Sequence, residues 1–184
     1  MGDTPSITER VRALIEHEPA GDGRVRNHLS VAGSPAAMRG FIEDCRTDGG
    51  ERILSLGGER MPIRWERHAA RSSSGSWVRI DPGREPQQGS EHEEGARAEF
   101  AFGSDEPLDD GLAETSRRHP DLEFRYAGLR HHRLREDVAK GGLWKGGERL
   151  AAAEEPALAH HEEGEQMATL IRDVEALEVP SAAA

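Results

Sequence analysis

The stretch Arg24-Val25-Arg26-Asn27-His28-Leu29-Ser30-Val31, continued by Ala32-Gly33-Ser34-Pro35, decides the fold. Val25, Asn27, Leu29 and Val31 alternate with Arg24, Arg26, His28 and Ser30, a period of two that predicts a strand with one wet side. Gly33 and Ser34 turn the chain. Ser34 then caps a helix with Pro35 at its first position, and Met38, Phe41, Ile42 and Cys45 form an apolar stripe at spacings of three, four and seven. A strand running straight into an amphipathic helix begins a layered α+β domain.

Two further strands follow the same alternation. Ala98, Phe100 and Phe102 are separated by Glu99 and Ala101, and Leu122, Phe124 and Tyr126 by Glu123 and Arg125. Between them Asp105 to His119 reads as a short helix, with acids at its start and Leu108 and Leu112 four apart. Pro120 and Asp121 close it. Ile53 to Leu56, Met61 to Trp65 and Trp77 to Ile80 are weaker extended pieces inside a loop-rich insert at about 48–95. Asp81 to Gly95, with two prolines and four glutamates, reads as a solvated loop. Val138 to Arg149 carries four glycines and Trp144, and predicts an edge strand with bulges or turns.

Both ends add helices. Ser6 and Glu9 make a capping box ahead of Ile7, Val11, Leu14 and Ile15, so residues 1–20 read as an N-terminal helix. Gly164 to Glu178 places Met167, Leu170, Ile171, Val174 and Leu177 on one face, within a C-terminal segment 150–184 that also holds a linker and a fraying tail. The expected architecture is a ferredoxin-like βαββαβ antiparallel sheet over residues 24–149, two helices on one face, plus the two terminal helices.

Residues 24–149 also resemble the YubB-like ferredoxin-fold proteins of plasmids, phages and bacterial chromosomes. The resemblance rests on Asn27 ahead of Val31 and Gly33, on Pro35 and Phe41, on Leu54 to Pro62, on Trp77, and on Phe100 and Phe102 before Pro107. It is densest at His119-Pro120-Asp121-Leu122-Glu123-Phe124-Arg125-Tyr126 and continues into Gly141-Gly142-Leu143-Trp144. Val25 and Arg26 stand where such proteins often carry a Trp-Cys pair. That family has no established activity, so the resemblance implies a fold and leaves function open.

Composition narrows the function classes. Net charge is −11, with arginine supplying nearly all the positive charge and lysine only at Lys140 and Lys145. Such a balance repels nucleic acid globally. Excess acid with scarce lysine fits a halophilic source, while a GC-rich genome explains the arginine preference equally well. No apolar run approaches the ~20 residues that span a bilayer, and no signal-like segment opens the chain, so a cytoplasmic location is expected. Cys45 is the single cysteine and lies on the apolar stripe, which makes it a structural thiol.

Candidate chemistry is sparse. The adjacent pairs His131-His132 and His160-His161 diverge on any regular backbone and chelate poorly, so no metal and no cofactor are assigned. No nucleophile elbow, phosphate loop or dinucleotide fingerprint occurs, and no catalytic residue is named. Phe100, Phe102, Phe124 and Tyr126 should lie under the helices, which removes base stacking on them. The opposite face gathers Arg24, Arg26, His28, Arg97 and Arg125 as a candidate binding surface, among Glu99 and Glu123.

The leading expectation is a non-enzymatic binding or interaction domain. The alternative is a nucleic-acid-associated protein using segment 52–84, where seven arginines outnumber three acids, and segment 125–135. An enzyme with an unrecognised site is the second alternative. The stripes of the terminal helices have three uses open to them: covering the sheet face of their own core, forming a dimer interface, or binding another protein. The charged face argues against a snug lid from the same chain and slightly favours self-association.

Overall fold

The computed structural model describes residues 23–48, 52–71, 77–80, 95–130, 137–153 and 163–180. They form an α+β protein whose single sheet runs β2-β3-β4-β6-β1-β7-β8-β9, with β5 beside β4. In chain order the strands are β1 (Val25–Gly33), β2 (Arg46–Asp48), β3 (Arg52–Leu56), β4 (Glu59–Arg71), β5 (Trp77–Ile80), β6 (Gly95–Ser104), β7 (Glu123–Arg130), β8 (Val138–Lys145) and β9 (Glu148–Ala152). The helices are α1 (Pro35–Cys45), α2 (Asp109–Arg118) and α3 (Glu163–Glu175). Each strand pair among the described residues is antiparallel. The expected helix at 1–20 lies outside them.

The alternation of β1 sorts its side chains to two faces as expected, but the face expected to be wet is buried as well, at Arg26, His28 and Ser30. Leu29 and Val31 join Phe100, Phe102, Phe124 and Tyr126 in one core under α1 and α2, which contribute Met38, Phe41 and Cys45, and Leu112. The aromatic rings therefore point inward. Phe41 anchors the layer, meeting Phe100 at 6.1 Å and Phe124 at 5.6 Å edge to face. Ser34 caps α1 by accepting the Ala37 amide proton at 3.2 Å.

Two glycine pairs supply turns, one not foreseen from the sequence and one falling where bulges or turns were expected. Gly57-Gly58 joins β3 to β4 and Gly146-Gly147 joins β8 to β9, all four with positive φ. Consecutive positive-φ glycines suit the two-residue hairpin, whose twist matches the flanking strands. Both hairpins clamp α2: the Gly57 amide donates to Thr115 Oγ1 at 3.2 Å, and the Gly147 amide to Ser116 Oγ at 3.0 Å. The edge strand expected at Val138 to Arg149 is thus a complete hairpin.

The second sheet face belongs to α3. Met167, Leu170, Ile171 and Val174 pack on Ala101, Ala127, Leu129 and Ala139 as a second core. This corrects the expectation that a charged face would refuse an intramolecular lid and send the C-terminal helix to a second copy. The floor beneath the helix is alanine and glycine, small enough for close approach. A Cβ on Gly141 would stand 2.6 Å from Val174 Cγ2 and 2.9 Å from Leu170 Cδ1. The charged residues form the rim. No described helix is long and apolar enough to cross a membrane.

Candidate functional site

The five surface residues proposed from sequence meet α3 or its surroundings. Arg26 is buried and donates to Glu163 at 2.6 Å, at the first turn of α3. At the other end Arg97 reaches Glu175 at 2.8 Å, as well as Glu99 at 2.7 Å and Ser30 Oγ at 3.0 Å. Arg125 donates to the Leu177 carbonyl at 3.1 Å and lies 3.4 Å from Glu123. His28 is buried among the floor residues, and Arg24, on the rim, is 3.5 Å from Asp105. Four of the five therefore seat the protein's own helix or lie beneath it, and the open surface expected there is closed. Guanidinium groups near the C-terminal end of α3 also complement its macrodipole.

The basic segment 125–135 divides similarly. Arg130 is buried and bonds the Asp105 carbonyl at 2.8 Å, with Glu106 3.8 Å away. His131, His132 and the arginines at 133 and 135 lie outside the described residues, as does the pair His160-His161.

Segment 52–84 behaves differently. A bulge between Ile63 and Trp65 inserts Arg64, so Ile63 still faces the first core opposite Phe102 while Trp65 turns to the α3 face opposite Ala101. Strict alternation would have put both on one face. Beyond the bulge, Trp65, Arg67, Ala69 and Arg71 share the α3 side. Ala69 pairs across the sheet with Arg79 of β5 and Arg97 of β6, and directly paired residues point the same way.

One buried alanine is consequently surrounded by four arginines: Arg67 and Arg71 along its own strand, Arg79 and Arg97 to either side. Residues two apart on a strand are about 7 Å apart, and directly opposite ones about 5 Å. Arg97 is neutralised by Glu99 and Glu175. Arg71 and Arg79 are exposed, and no carboxylate of the described residues forms an ion pair with either.

Two titratable groupings lie on the other face. Asp44, Cys45 and His119 bring one ligand atom each within 4.8 Å of one another. Residues this far apart in sequence display no motif spacing, so this grouping was not legible beforehand. Asp44 Oδ2 receives Arg118 Nη1 at 2.8 Å and lies 3.0 Å from His119 Nε2. The guanidinium already balances the carboxylate, and the set ties the last turn of α1 to the end of α2. The second grouping is Glu66 and His68, buried with 2.5 Å between Oε1 and Nε2, with the exposed Arg52 4.0 Å from Oε2.

Burial, reinforced by the Asp44 carboxylate and opposed by the Arg118 guanidinium, pushes the Cys45 thiol up to about 12 from an ordinary value of 9.0. A thiol that stays protonated is a poor nucleophile. Iodoacetamide at pH 8 should leave Cys45 unmodified in the native protein and alkylate it fully in denaturant; rapid native labelling by mass spectrometry would contradict the burial. Linkage adds a pH consequence. Between about 9 and 12 the folded chain holds this proton and the unfolded chain has lost it, so stability falls as pH rises through that window. Burial raises Tyr126 as well, steepening the same alkaline loss.

With this geometry in hand, comparison with family models, with curated proteins and with solved structures finds no match to the chain.

Proposed function

We propose that this chain is a non-enzymatic interaction domain, built on a ferredoxin-like unit, that receives an anionic partner on the β4–β5 half of the sheet face left beside α3. The ferredoxin-like reading takes β1, α1, β4, β6, α2 and β7 as the βαββαβ unit. It is supported by the order β4-β6-β1-β7 of those strands and by the packing of α1 and α2 on one face. On this view β2, β3 and β5 elaborate one edge and β8 and β9 extend the other. A distant kinship with the YubB-like proteins is part of the same proposal.

The observation that carries the binding reading is the crowding of guanidinium groups around Ala69. None of the four arginines faces another directly, Arg67 standing opposite Glu99 and both Arg79 and Arg97 opposite Ala69. Like charges gathered in one patch still cost stability, and local costs of this kind concentrate at functional sites. The buried polar groups named above hold elements together, whereas Arg71 and Arg79 present their charge to solvent.

Phenylglyoxal modification of the native chain, read by mass spectrometry with and without a heparin fragment, tests this. Protection at Arg71 and Arg79, with Arg39 on α1 modified equally in both samples, is the expected result. Uniform modification throughout would remove the β4–β5 surface from consideration.

A further inference from the structure

Resting on that reading, we infer that the anionic partner is a single-stranded nucleic acid, its phosphates held by Arg71 and Arg79 and a base laid against Trp65. Four features of the surface converge on this chemistry. Guanidinium is planar and offers paired donors matched to phosphate oxygens, so a cluster of arginines takes phosphate bidentately where lysines would give only point charges. Arg79 on β5 lies diagonally from Arg67 and from Arg71 on β4, about 7–8 Å from each, while Arg67 and Arg71 are about 13 Å apart along the strand. An extended track suits successive backbone phosphates better than it suits one phosphorylated side chain.

Ala69 is the third feature. Its short side chain forms a low floor between four long ones, and an anion can settle onto it without displacing a bulky group. The fourth is Trp65, brought to this face by the bulge at Arg64 and two residues from Arg67. It is only partly buried against the α3 cluster. Aromatic surface interleaved with basic residues is the combination by which open sheet faces hold unpaired bases, and stacking needs bases free of a duplex.

The net charge of −11 opposes any polyanion. Its reach is limited, because exposed charges are screened beyond roughly 8 Å at physiological ionic strength. Contacts at the arginine track act inside that distance. Arg97, paired with Glu99 and Glu175, and Arg67, opposite Glu99, border the track and add little to phosphate binding.

The test is fluorescence anisotropy of the full chain with labelled dT12 and rU12 across a salt titration. A duplex of equal length, pyrophosphate, a phosphoserine peptide and an oligoglutamate peptide serve as competitors. Two phosphate contacts on a single strand predict a log–log salt slope of about −1.4. The Arg71→Ala/Arg79→Ala protein should lose at least tenfold in affinity, with its slope reduced to near zero. Both side chains are exposed, so the fold should be retained. Arg39→Ala/Arg117→Ala removes equal charge from the helical side and should change affinity less than twofold. Trp65→Leu should weaken binding about fivefold or more with the slope unchanged.

Equal losses in the two arginine double variants would overturn the inference. Competition by duplex or by either peptide as strong as that of the single strand would also overturn it, while leaving an anionic partner in place. If no oligonucleotide, peptide or pyrophosphate binds and heparin gives no protection, the anionic-partner reading fails as well.

Discussion

Leu170→Ala combined with Ile171→Ala should release α3 from the sheet while leaving the rest of the protein folded. Both side chains are essentially inaccessible, at 0% and 1%. Each truncation removes contacts worth about 2–5 kcal/mol at a buried site. Losses at neighbouring positions do not add exactly, but together they exceed what a helix of 13 residues recovers from its rim. That rim consists of the Arg26–Glu163 and Arg97–Glu175 pairs, neither fully shielded from water. Amide exchange should accelerate in α3 and on β8. Strands β1 and β6 retain the first core beneath α1 and α2 and should stay protected. Dye binding to the exposed Leu129 and alanine floor should rise, and sedimentation should show more association than in the parent protein. Unchanged protection across α3 in the double variant would mean that the helix is held by something other than its apolar stripe.

The reason this lid was misjudged from sequence is physical. A strand face is read by its most conspicuous residues, and here those are Arg26, Arg97, Glu99 and Arg125, whereas the seat itself is Ala101, Ala127, Ala139 and Gly141. Small residues carry weak periodic signal because they are compatible with either face. Their meaning appears only when four strands set them side by side. The apolar stripe of α3 was plain, but a stripe says that something is covered without saying what.

Other parts were legible because the signal was local. Ser34-Pro35 starts α1, and the spacing from Met38 to Cys45 gives its buried face. The inward set Phe100, Phe102, Phe124 and Tyr126 follows from alternation alone. Gly57-Gly58 and Gly146-Gly147 were equally local, and counting two-residue glycine loops between extended segments would have found both hairpins. The bulge at Arg64 is a different case. Nothing in Ile63-Arg64-Trp65 announces an extra residue, yet it moves Trp65 to the opposite face and creates the aromatic part of the proposed binding track.

Gly128→Ala should cost about 2–4 kcal/mol through a polar chain buried in the first core. Tyr126 Oη donates to Asn27 Oδ1 at 2.6 Å, and Asn27 Nδ2 donates to Ser104 Oγ at 2.9 Å and to the Val25 carbonyl at 3.0 Å. Ser104 Oγ in turn donates to the Glu106 carbonyl at 2.6 Å. Every side-chain member is buried, so each bond is irreplaceable by water. A Cβ on Gly128 would lie 2.2 Å from Tyr126 Oη and 3.2 Å from Asn27 Oδ1. The ring cannot swing aside freely, because Trp144 stands edge to face against it at 6.0 Å. Tyr126→Phe alone should cost about 1–3 kcal/mol by stranding Asn27 Oδ1. The hydroxyl that the new methyl meets most closely is absent from that variant, while the ring carbon Cζ at 2.8 Å remains, so the double variant should lose less than the sum of the two, with coupling of about 1 kcal/mol in urea denaturation. Strict additivity would place the damage of the added methyl elsewhere than on the tyrosine hydroxyl.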